Sequence, residues 1–336
     1  MKKFFVSLGK MAISGLLALV ILTGFCFFYY NLPVHEESKT GASDYLWEKN
    51  VITMRGTEGF AFAKLDENGY ANSFETNRNV VDVLIMGSSH GEGFNVNYDK
   101  NFTYQLNKLF KENKKDKYAY NISVSEHTIV HCLKNLEAAI KEFKPQEYVV
   151  IETPKVVMES SRWTALNKGE FPDLEANSVG VINYLQKVDF FRLMYAQGVS
   201  FLHNSKSVVT DDTEAKVDLE EYRKALEVTI SNAAKTVEGA SCKLAIVYIR
   251  PVDLNTDGSV KAFDAPEEHV IFKELCEKYN VIFIDMYDTF AKHYEDTNCL
   301  PHGFSNTKVG TGHMNKTGHR LVAERLYEVI EKGAAK

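Results

Sequence analysis

The sequence predicts an α/β fold, a doubly wound parallel sheet of about five strands, preceded by one N-terminal transmembrane helix. Two observations carry this prediction. After residue 76, short apolar segments alternate with longer amphipathic ones, and this alternation is typical of βαβ units joined by right-handed crossovers. Near the N-terminus, a long segment contains no charged residue and no such alternation.

The uncharged segment covers residues 11–30. At about 1.5 Å of rise per residue it extends roughly 30 Å, which matches the hydrocarbon core of a bilayer. Lys2, Lys3 and Lys10 precede it, so we expect a cytoplasmic N-terminus and an exported remainder. A cleaved signal peptide is the alternative, but the segment exceeds a usual signal core and ends in bulky aromatic residues rather than a cleavage site. An uncleaved, single-pass anchor in the cell membrane is favoured.

The anchor divides the chain. Residues 1–10 form a basic cytoplasmic flank, and the polar residues 31–75 are interpreted as a juxtamembrane stalk and extension that packs on the domain. Residues 76–334 form the α/β domain, with an insertion at about 155–215 where the alternation stops. Net charge is −6 and no basic block follows the flank, so nucleic acid is not expected as a partner.

Five apolar segments predict the strands of the sheet, at residues 80–86, 118–124, 148–152, 244–249 and 281–285. Amphipathic spacing predicts helices at residues 98–115, 126–143, 217–237, 265–279 and 316–331. Five strands in one domain fit a flavodoxin-like sheet, in which ligands bind beyond the carboxyl ends of the strands. Four polar residues fall at or just past such ends and are expected to share one site: Ser89, Asn121, Thr153 and Asp285.

The first strand ends in a small-residue turn that carries a candidate nucleophile. Gly87 allows a tight turn, and a sharp turn exposes a serine hydroxyl while leaving backbone N–H groups free for a developing oxyanion. Serine needs an adjacent base, usually histidine. Ser89 is the predicted nucleophile and His313, which precedes the last helix, the predicted base. The alternative is an ordinary βα turn without chemistry.

These two segments resemble the first and last blocks of the SGNH (GDSL-type) hydrolase and acyltransferase superfamily. The first block usually reads Gly-Asp-Ser and here reads Gly87-Ser88-Ser89; the last usually reads Asp-x-x-His and here ends in His313. The segments at residues 120–123 and 144–152, and the replacement of Gly-Asp-Ser by Gly-Ser-Ser-His, also resemble a membrane-anchored branch of this superfamily. The resemblance covers roughly residues 80–330.

The resemblance implies a Ser-His-Asp site with an oxyanion hole. Ser89 and His313 carry over directly as nucleophile and base. An oxyanion hole in this superfamily uses the serine N–H, a glycine N–H and an asparagine side chain. The expected oxyanion and substrate contacts are Gly87, Ser88, His90, Asn121 and Ser123, with the Ser125 N–H as an alternative to that of Ser123. Asn121 is otherwise a loop asparagine that caps the following turn.

The triad acid is missing from its usual place, because Gly310 stands three residues before the histidine. Asp285 or Asp288, after the fifth strand, is one replacement, and Asp285 is the candidate acid by its position at a strand end. A backbone carbonyl, Ser305 or Asn306 is a second, and would hold the imidazole in a working dyad. The third alternative is an inactive site.

Two other kinds of site are disfavoured. Residues 87–91 also match the nucleophile elbow of α/β-hydrolases, but that fold places its elbow after several upstream strands. A zinc site from His302, His313 and His319 is disfavoured because their spacing does not put the imidazoles on one helix face. We expect neither a metal nor another cofactor.

By the resemblance, we expect a membrane-anchored, extracytoplasmic O-acyltransferase. Anchored relatives of this kind modify alginate, teichoic acids and other polysaccharides, usually beside a membrane-bound O-acyltransferase that passes the acyl group across the membrane. Ser89 would carry the acyl group as an ester, His313 would move the proton, and a polymer hydroxyl would accept the group. The alternatives are an acetyl or carbohydrate esterase with the same mechanism, and a degenerate glycan-binding or scaffold protein.

Overall fold

The structure, a computed structural model, describes residues 2–31, 33, 35–72, 80–173, 188–195, 198 and 218–333. Its strands are β1 (Tyr30–Asn31), β2 (His35–Glu37), β3 (Tyr45–Trp47), β4 (Ile52–Arg55), β5 (Ala61–Lys64), β6 (Val83–Met86), β7 (Ala119–Asn121), β8 (Tyr148–Thr153), β9 (Lys243–Tyr248) and β10 (Ile282–Asp285). Its main helices are α1 (Lys2–Tyr29), α2 (Ser89–Glu92), α3 (Phe102–Glu112), α4 (Ile129–Phe143), α5 (Ser160–Lys168), α6 (Leu219–Gly239), α7 (Glu267–Lys278), α8 (Tyr287–Thr297) and α9 (Lys316–Lys332).

The central sheet has five parallel strands in the order β10-β9-β8-β6-β7. This is the flavodoxin-like order, so the predicted doubly wound α/β class is confirmed. The chain leaves β6 toward β7 on one side and returns to β8 on the other. The topological switch point therefore lies between the carboxyl ends of β6 and β8, where ligands bind in open sheets of this kind.

Both faces of the sheet are covered, which explains why its strands read as continuous apolar runs. One hydrophobic cluster packs α4, α6 and α7 on the first face, and a second packs α3, α8 and α9 on the opposite face. All four residues of β6 are buried. Helix α9 begins where the Asn315 side chain accepts hydrogen bonds from the N–H groups of Thr317 and Gly318. That cap fixes the loop before α9, which carries His313.

Helix α1 has 28 residues and is apolar and long enough to cross a bilayer. Strand β1 follows it immediately and pairs with β4, which pairs in turn with β5, so that an antiparallel three-stranded sheet begins at the end of the helix. The sequence did not predict these short N-terminal strands or α8. It did not predict α2 or α5 by spacing either, but it did predict α3, α4, α6, α7 and α9, within a few residues of their ends.

The segment at residues 35–72, interpreted as stalk and extension, packs closely on the domain. Tyr45, Trp47, Leu65 and Tyr70 are buried in the same hydrophobic cluster as α4 and α6. The insertion proposed at residues 155–215 lies largely outside the described residues. Its described part includes α5, whose Trp163 is fully buried in that cluster. The N-terminal extension is thus part of the folded domain rather than a spacer.

Candidate active site

The turn after β6 presents Ser89 at the carboxyl edge of the sheet. Gly87 is required there because a Cβ on it would lie 2.6 Å from Glu152 Oε2. Helix α2 begins at Ser89, and the Ser88 side chain caps it by accepting a hydrogen bond from the His90 N–H at 3.2 Å. As the first residue of the helix, Ser89 has no intrahelical acceptor for its N–H, and none is found in the described residues. The hydroxyl is therefore placed as a candidate nucleophile beside an N–H group that could donate to an oxyanion.

The structure brings Ser89 and His313 together. Ser89 Oγ lies 2.8 Å from His313 Nε2 although 224 residues separate the two along the chain. On the other side of the ring, His313 Nδ1 lies 2.6 Å from Glu58 Oε2, and the His313 N–H donates to Glu58 Oε1 at 2.9 Å. One carboxylate therefore holds both the backbone and the imidazole of His313. Hydroxyl, imidazole and carboxylate lie in the sequence of contacts that serine hydrolases use.

Glu58 lies in the turn between β4 and β5, and two asparagines fix that turn. Asn306 Nδ2 donates to the carbonyls of Gly56 and Gly59 at 2.9 Å each, and its Oδ1 accepts from the Gly59 N–H at 2.9 Å. Asn95 is buried, and its Nδ2 donates to the Glu58 carbonyl at 3.1 Å and to Glu58 Oε2 at 3.2 Å. The carboxylate is consequently held in place before any substrate binds.

Electrostatics also favour an ionised Glu58. Partial burial on its own raises the pKa of this carboxyl, but the hydrogen bonds and charge of His313 outweigh it, and the pKa is lowered from its ordinary value. An ionised carboxylate at Nδ1 fixes the tautomer in which Nε2 is free to accept a proton from Ser89.

The prediction of Asp285 as the acid is wrong in this structure. Asp285 Oδ1 accepts a hydrogen bond from the Tyr287 N–H at 2.9 Å, and its Oδ2 lies 3.3 Å from His269 Nε2. The reason is topological: Asp285 ends β10, an edge strand separated from β6 by β8 and β9. The alternative that Asn306 holds His313 Nδ1 is wrong as well, because Asn306 is hydrogen-bonded to the turn that contains Glu58.

Gly310 and Gly312 explain how a distant glutamate takes the place of the missing aspartate. Both have positive φ angles, +88° and +79°, a left-handed conformation that favours glycine. A Cβ on Gly312 would lie 2.4 Å from Glu58 Oε1. The loop thus leaves open the space that Glu58 fills.

Gly312→Ala is expected to lower the reactivity of the Ser89 hydroxyl toward a serine-directed probe by about 10–100-fold, because small displacements of a positioning group cost this much. The new methyl group would displace Glu58 from His313. Gly310→Ala is the matched control: it has the same unfavourable φ, but its Cβ would meet only Leu300 Cδ1, at 3.0 Å. The rate of labelling of Ser89 by the probe compares the two variants. Equal losses would mean that backbone strain, and not contact with Glu58, causes the effect.

Glu152 is hydrogen-bonded to the turn that carries Ser89. Its Oε2 accepts from the N–H groups of Gly91 at 2.7 Å and Ser88 at 3.0 Å, and the Ser88 hydroxyl lies 3.1 Å from both carboxylate oxygens. Burial raises its pKa to about 7, against the lowering effect of these hydrogen bonds. Gly87 and Ser88, predicted to contact substrate, are therefore turn residues held on Glu152.

Asn121 and Ser123 also lie beneath the turn rather than facing a substrate. The Asn121 side chain is fully buried; its Nδ2 donates to the Gly91 carbonyl at 2.9 Å and its Oδ1 accepts from the Ser123 N–H at 2.9 Å. Ser123 is buried as well, with Oγ only 2.4 Å from where a Gly91 Cβ would be. The prediction that these two residues donate to an oxyanion is not supported, because both groups are already committed. The Ser125 alternative is likewise committed, to Glu92.

His90 borders the site without touching Ser89 Oγ in a hydrogen bond. Its Nδ1 accepts from the Met314 N–H at 3.2 Å, and its ring centroid lies 4.8 Å from that of His313. Burial, reinforced by neighbouring histidines, lowers its pKa well below the ordinary value. A neutral His90 is what the bond from Met314 requires, since imidazolium has no acceptor. His90 thus positions the backbone next to His313.

The other histidines near the site do not converge on a metal. His319 Nδ1 accepts from the Phe102 N–H at 3.2 Å, and burial lowers its pKa to about 3. His302 is buried between the rings of His90 and Phe290, and its pKa falls to about 4. Within the described residues, no group of three or more histidine, cysteine or acidic side chains is arranged to hold a metal ion.

Sequence reasoning missed Glu58 and Asn95, which position His313, and Glu152, which holds the turn that carries Ser89. It named Asn306, but as a direct partner of His313 rather than of the turn that contains Glu58. Glu58 lies between Thr57 and Gly59 in a polar stretch, and only the Gly-x-x-Gly turn around it was visible. Glu152 had a stronger signal, since a carboxylate at the end of an otherwise apolar strand must find partners or neutralise.

Comparison with known proteins gives distant structural similarity. No protein-family model and no curated protein matches the sequence. A psychrotrophic esterase from Pseudoalteromonas sp. matches with 15% identity and a TM-score of 0.40, over 76% of this chain and 98% of the other. An acetyl xylan esterase matches with 14% identity and a TM-score of 0.43, over 74% and 99%. An acetylxylan esterase mutant from Geobacillus stearothermophilus matches with 13% identity and a TM-score of 0.39, over 76% and 97%. Similarity this distant does not establish a shared activity.

Proposed function

We propose that this protein is a serine-dependent acyl-transfer enzyme that forms an acyl ester on Ser89. The contact chain from Ser89 through His313 to Glu58, at 2.8 and 2.6 Å, carries the proposal. A folded domain has no structural need to aim a partly buried carboxylate and an imidazole at a serine hydroxyl that begins a helix. The same arrangement supplies the nucleophile, base and orienting acid that acyl transfer requires.

In the first half-reaction, Ser89 Oγ attacks the carbonyl carbon of an ester while its proton moves to His313 Nε2. The Ser89 N–H donates to the developing oxyanion. Glu58 keeps the ring oriented and stabilises the imidazolium that forms. His313 then gives its proton to the departing alcohol, the carbon–oxygen bond to that alcohol breaks, and the acyl group remains on Ser89.

In the second half-reaction, an acceptor hydroxyl gives its proton to His313 Nε2 and attacks the acyl-serine. Collapse of the tetrahedral intermediate releases the new ester and returns the proton to Ser89. If the acceptor is water, the reaction is ester hydrolysis; if it is a sugar hydroxyl, the reaction is O-acylation. Both outcomes use the same residues.

We further propose that the acceptor is a cell-envelope or secreted polysaccharide, acylated outside the cytoplasm beside a membrane-bound O-acyltransferase. Two features support this. Helix α1 has the length and composition of a membrane anchor, after a flank with Lys2, Lys3 and Lys10. The segments at residues 87–90, 120–123 and 144–152 resemble the anchored branch of the SGNH superfamily. A carbohydrate esterase is the second candidate, favoured by rapid acetate release without acceptor or partner. A glycan-binding protein without activity is disfavoured by the intact contact chain.

A fluorophosphonate probe is expected to label the detergent-solubilised, full-length protein at one residue. Ser89→Ala should abolish labelling, because the probe reacts only with an activated serine hydroxyl. Ser88→Ala is the matched control and should still be labelled. The Ser88 hydroxyl is bonded to Glu152 and is not the expected site of labelling. Gel fluorescence and peptide mass spectrometry report the result. A folded, unlabelled wild-type protein would contradict the proposed chemistry and leave the glycan-binding alternative.

A further inference from the structure

The β4–β5 hairpin lies directly against the end of the membrane helix. Tyr30, the first residue after α1, pairs with Arg55 at the end of β4. The Gly56 N–H donates to the carbonyl of Tyr29, the last residue of α1, at 2.7 Å, and a Cβ on Gly56 would lie 2.8 Å from the Tyr29 ring. No spacer separates the helix from the hairpin. Wherever α1 leaves a bilayer, the hairpin is therefore at its surface.

One face of this hairpin is exposed and mostly apolar; its charged residue is Lys64, which pairs with Ile52 and whose long side chain can reach from an apolar surface to water. Ile52, Phe60 and Phe62 have 53%, 69% and 43% of their surface exposed. They share a face because Met54 pairs with Phe62 across the strands and side chains alternate along each strand. The alternate residues of β5, Ala61 and Ala63, are buried. An antiparallel sheet that packs one face on the core normally presents polar side chains to water on its other face. Exposed phenylalanines on the outer face of this hairpin therefore indicate an environment other than water.

We infer that the outer face of the hairpin, formed by Ile52, Phe60 and Phe62, rests in the interfacial region of the bilayer that α1 enters. This inference depends on the proposed role of α1 as an anchor. Aromatic side chains favour the boundary between lipid headgroups and acyl chains. Tyr98, whose ring lies 5.5 Å from that of Phe62, continues the aromatic surface.

This placement brings the catalytic site to the membrane surface. Glu58 lies between Gly56, which contacts the anchor, and Phe60, which belongs to the lipid-facing surface. Since Glu58 contacts His313 directly, seating of the hairpin holds the acid of the site at the level of the lipid headgroups. An acyl donor that arrives within or from the bilayer would reach Ser89 without leaving the interface.

Tryptophan reporters in the full-length protein test this surface. The two native tryptophans, Trp47 and Trp163, are buried. Phe60→Trp and Phe62→Trp add reporters on the hairpin face, and Leu17→Trp adds one in α1. Val228→Trp, at an exposed position of α6, which packs on α4, α5 and α7, is the control away from the membrane. Each variant is reconstituted into nanodiscs of ordinary lipid and of lipid brominated on its acyl chains. For each variant, the emission in excess of that of the unsubstituted protein is then compared between the two kinds of nanodisc.

The hairpin reporters should lose most of their added emission in brominated nanodiscs, as should Leu17→Trp, while Val228→Trp keeps its emission. Quenching of Leu17→Trp without quenching of Phe60→Trp and Phe62→Trp would overturn the inference, because the face would then lie outside the lipid. Absence of quenching at Leu17→Trp together with the hairpin reporters would overturn anchoring by α1 as well. Fluorophosphonate labelling of the same samples reports separately on the proposed chemistry.

Discussion

Glu58→Gln is expected to lower kcat/KM for ester hydrolysis by about 10³–10⁴-fold, the cost of removing the acid that orients the base in a serine triad. Glutamine preserves the volume of the side chain but presents no charge to His313. It also offers an amide NH₂ where Nδ1 needs an acceptor, and this favours the tautomer in which Nε2 carries the proton. Steady-state hydrolysis of a soluble ester by the full-length protein measures the change.

Asp285→Asn is the matched control for this experiment. The sequence favoured Asp285 as the acid because it lies at the end of a strand. In the structure, however, its contacts are the Tyr287 N–H and His269. The substitution should leave kcat/KM within a few-fold of wild type. A large loss in Asp285→Asn together with near-normal activity in Glu58→Gln would restore Asp285 as the acid and show that the Glu58 contact is only structural.

The sequence predicted those parts of the protein that are encoded locally. A buried parallel strand is a run of apolar residues, and a sharp turn after it requires small residues, so β6 and the Ser89 turn could be recognised together. Parallel strands present their carboxyl ends at one edge, which made residues distant in sequence candidates for one site. Ser89 and His313 do lie in contact. Asp285 shows the limit of this reasoning, because an edge contains several strand ends and the strand order decides which of them meet.

Glu58 could not have been predicted in this way. It lies 255 residues before His313 and outside the βαβ alternation, in a segment whose polar composition resembles a linker. Its role follows from tertiary contacts: Asn95 and Asn306 hold its turn, and Gly312 leaves space for its carboxylate. A single sequence shows none of these contacts, since each joins residues of ordinary type at unremarkable spacing.

The N-terminal extension does more than connect the domain to α1. Besides Glu58, it supplies Trp47, whose indole N–H donates to the buried carboxyl of Glu92 at the end of α2. Ser125 donates to the same carboxyl. Burial raises the pKa of Glu92 to about 7. The extension therefore holds α2 as well as His313, and the arrangement of Ser89, His313 and Glu58 is incomplete without the segment that follows α1.

The free energy of unfolding of Glu152→Gln, relative to that of wild type, is expected to increase as the pH rises from 5 to 8. The buried Glu152 carboxyl has a pKa of about 7, above its ordinary value of 4.5. Between those values the folded state binds more protons than the unfolded state, so the stability that this group contributes is present below pH 4.5 and is lost as the pH rises through 7. Glutamine has no proton to lose.

The expected gain at pH 8 relative to pH 5 is roughly 2–3 kcal/mol, from 1.36 kcal/mol for each unit of pKa shift. Gln Oε1 can replace Glu152 Oε2 as acceptor for the N–H groups of Ser88 and Gly91, and its NH₂ can donate to the Ser88 hydroxyl, so the turn should survive. Denaturant unfolding at both pH values measures the difference between variant and wild type. Glu58→Gln is the control, because the pKa of Glu58 is shifted in the opposite direction. This pKa is lowered, so Glu58 is already ionised at pH 5 and its replacement should give no such gain in stability. A constant difference between Glu152→Gln and wild type from pH 5 to 8 would mean that Glu152 is ionised throughout, and that the N–H groups beneath the nucleophile hold a carboxylate rather than a carboxylic acid.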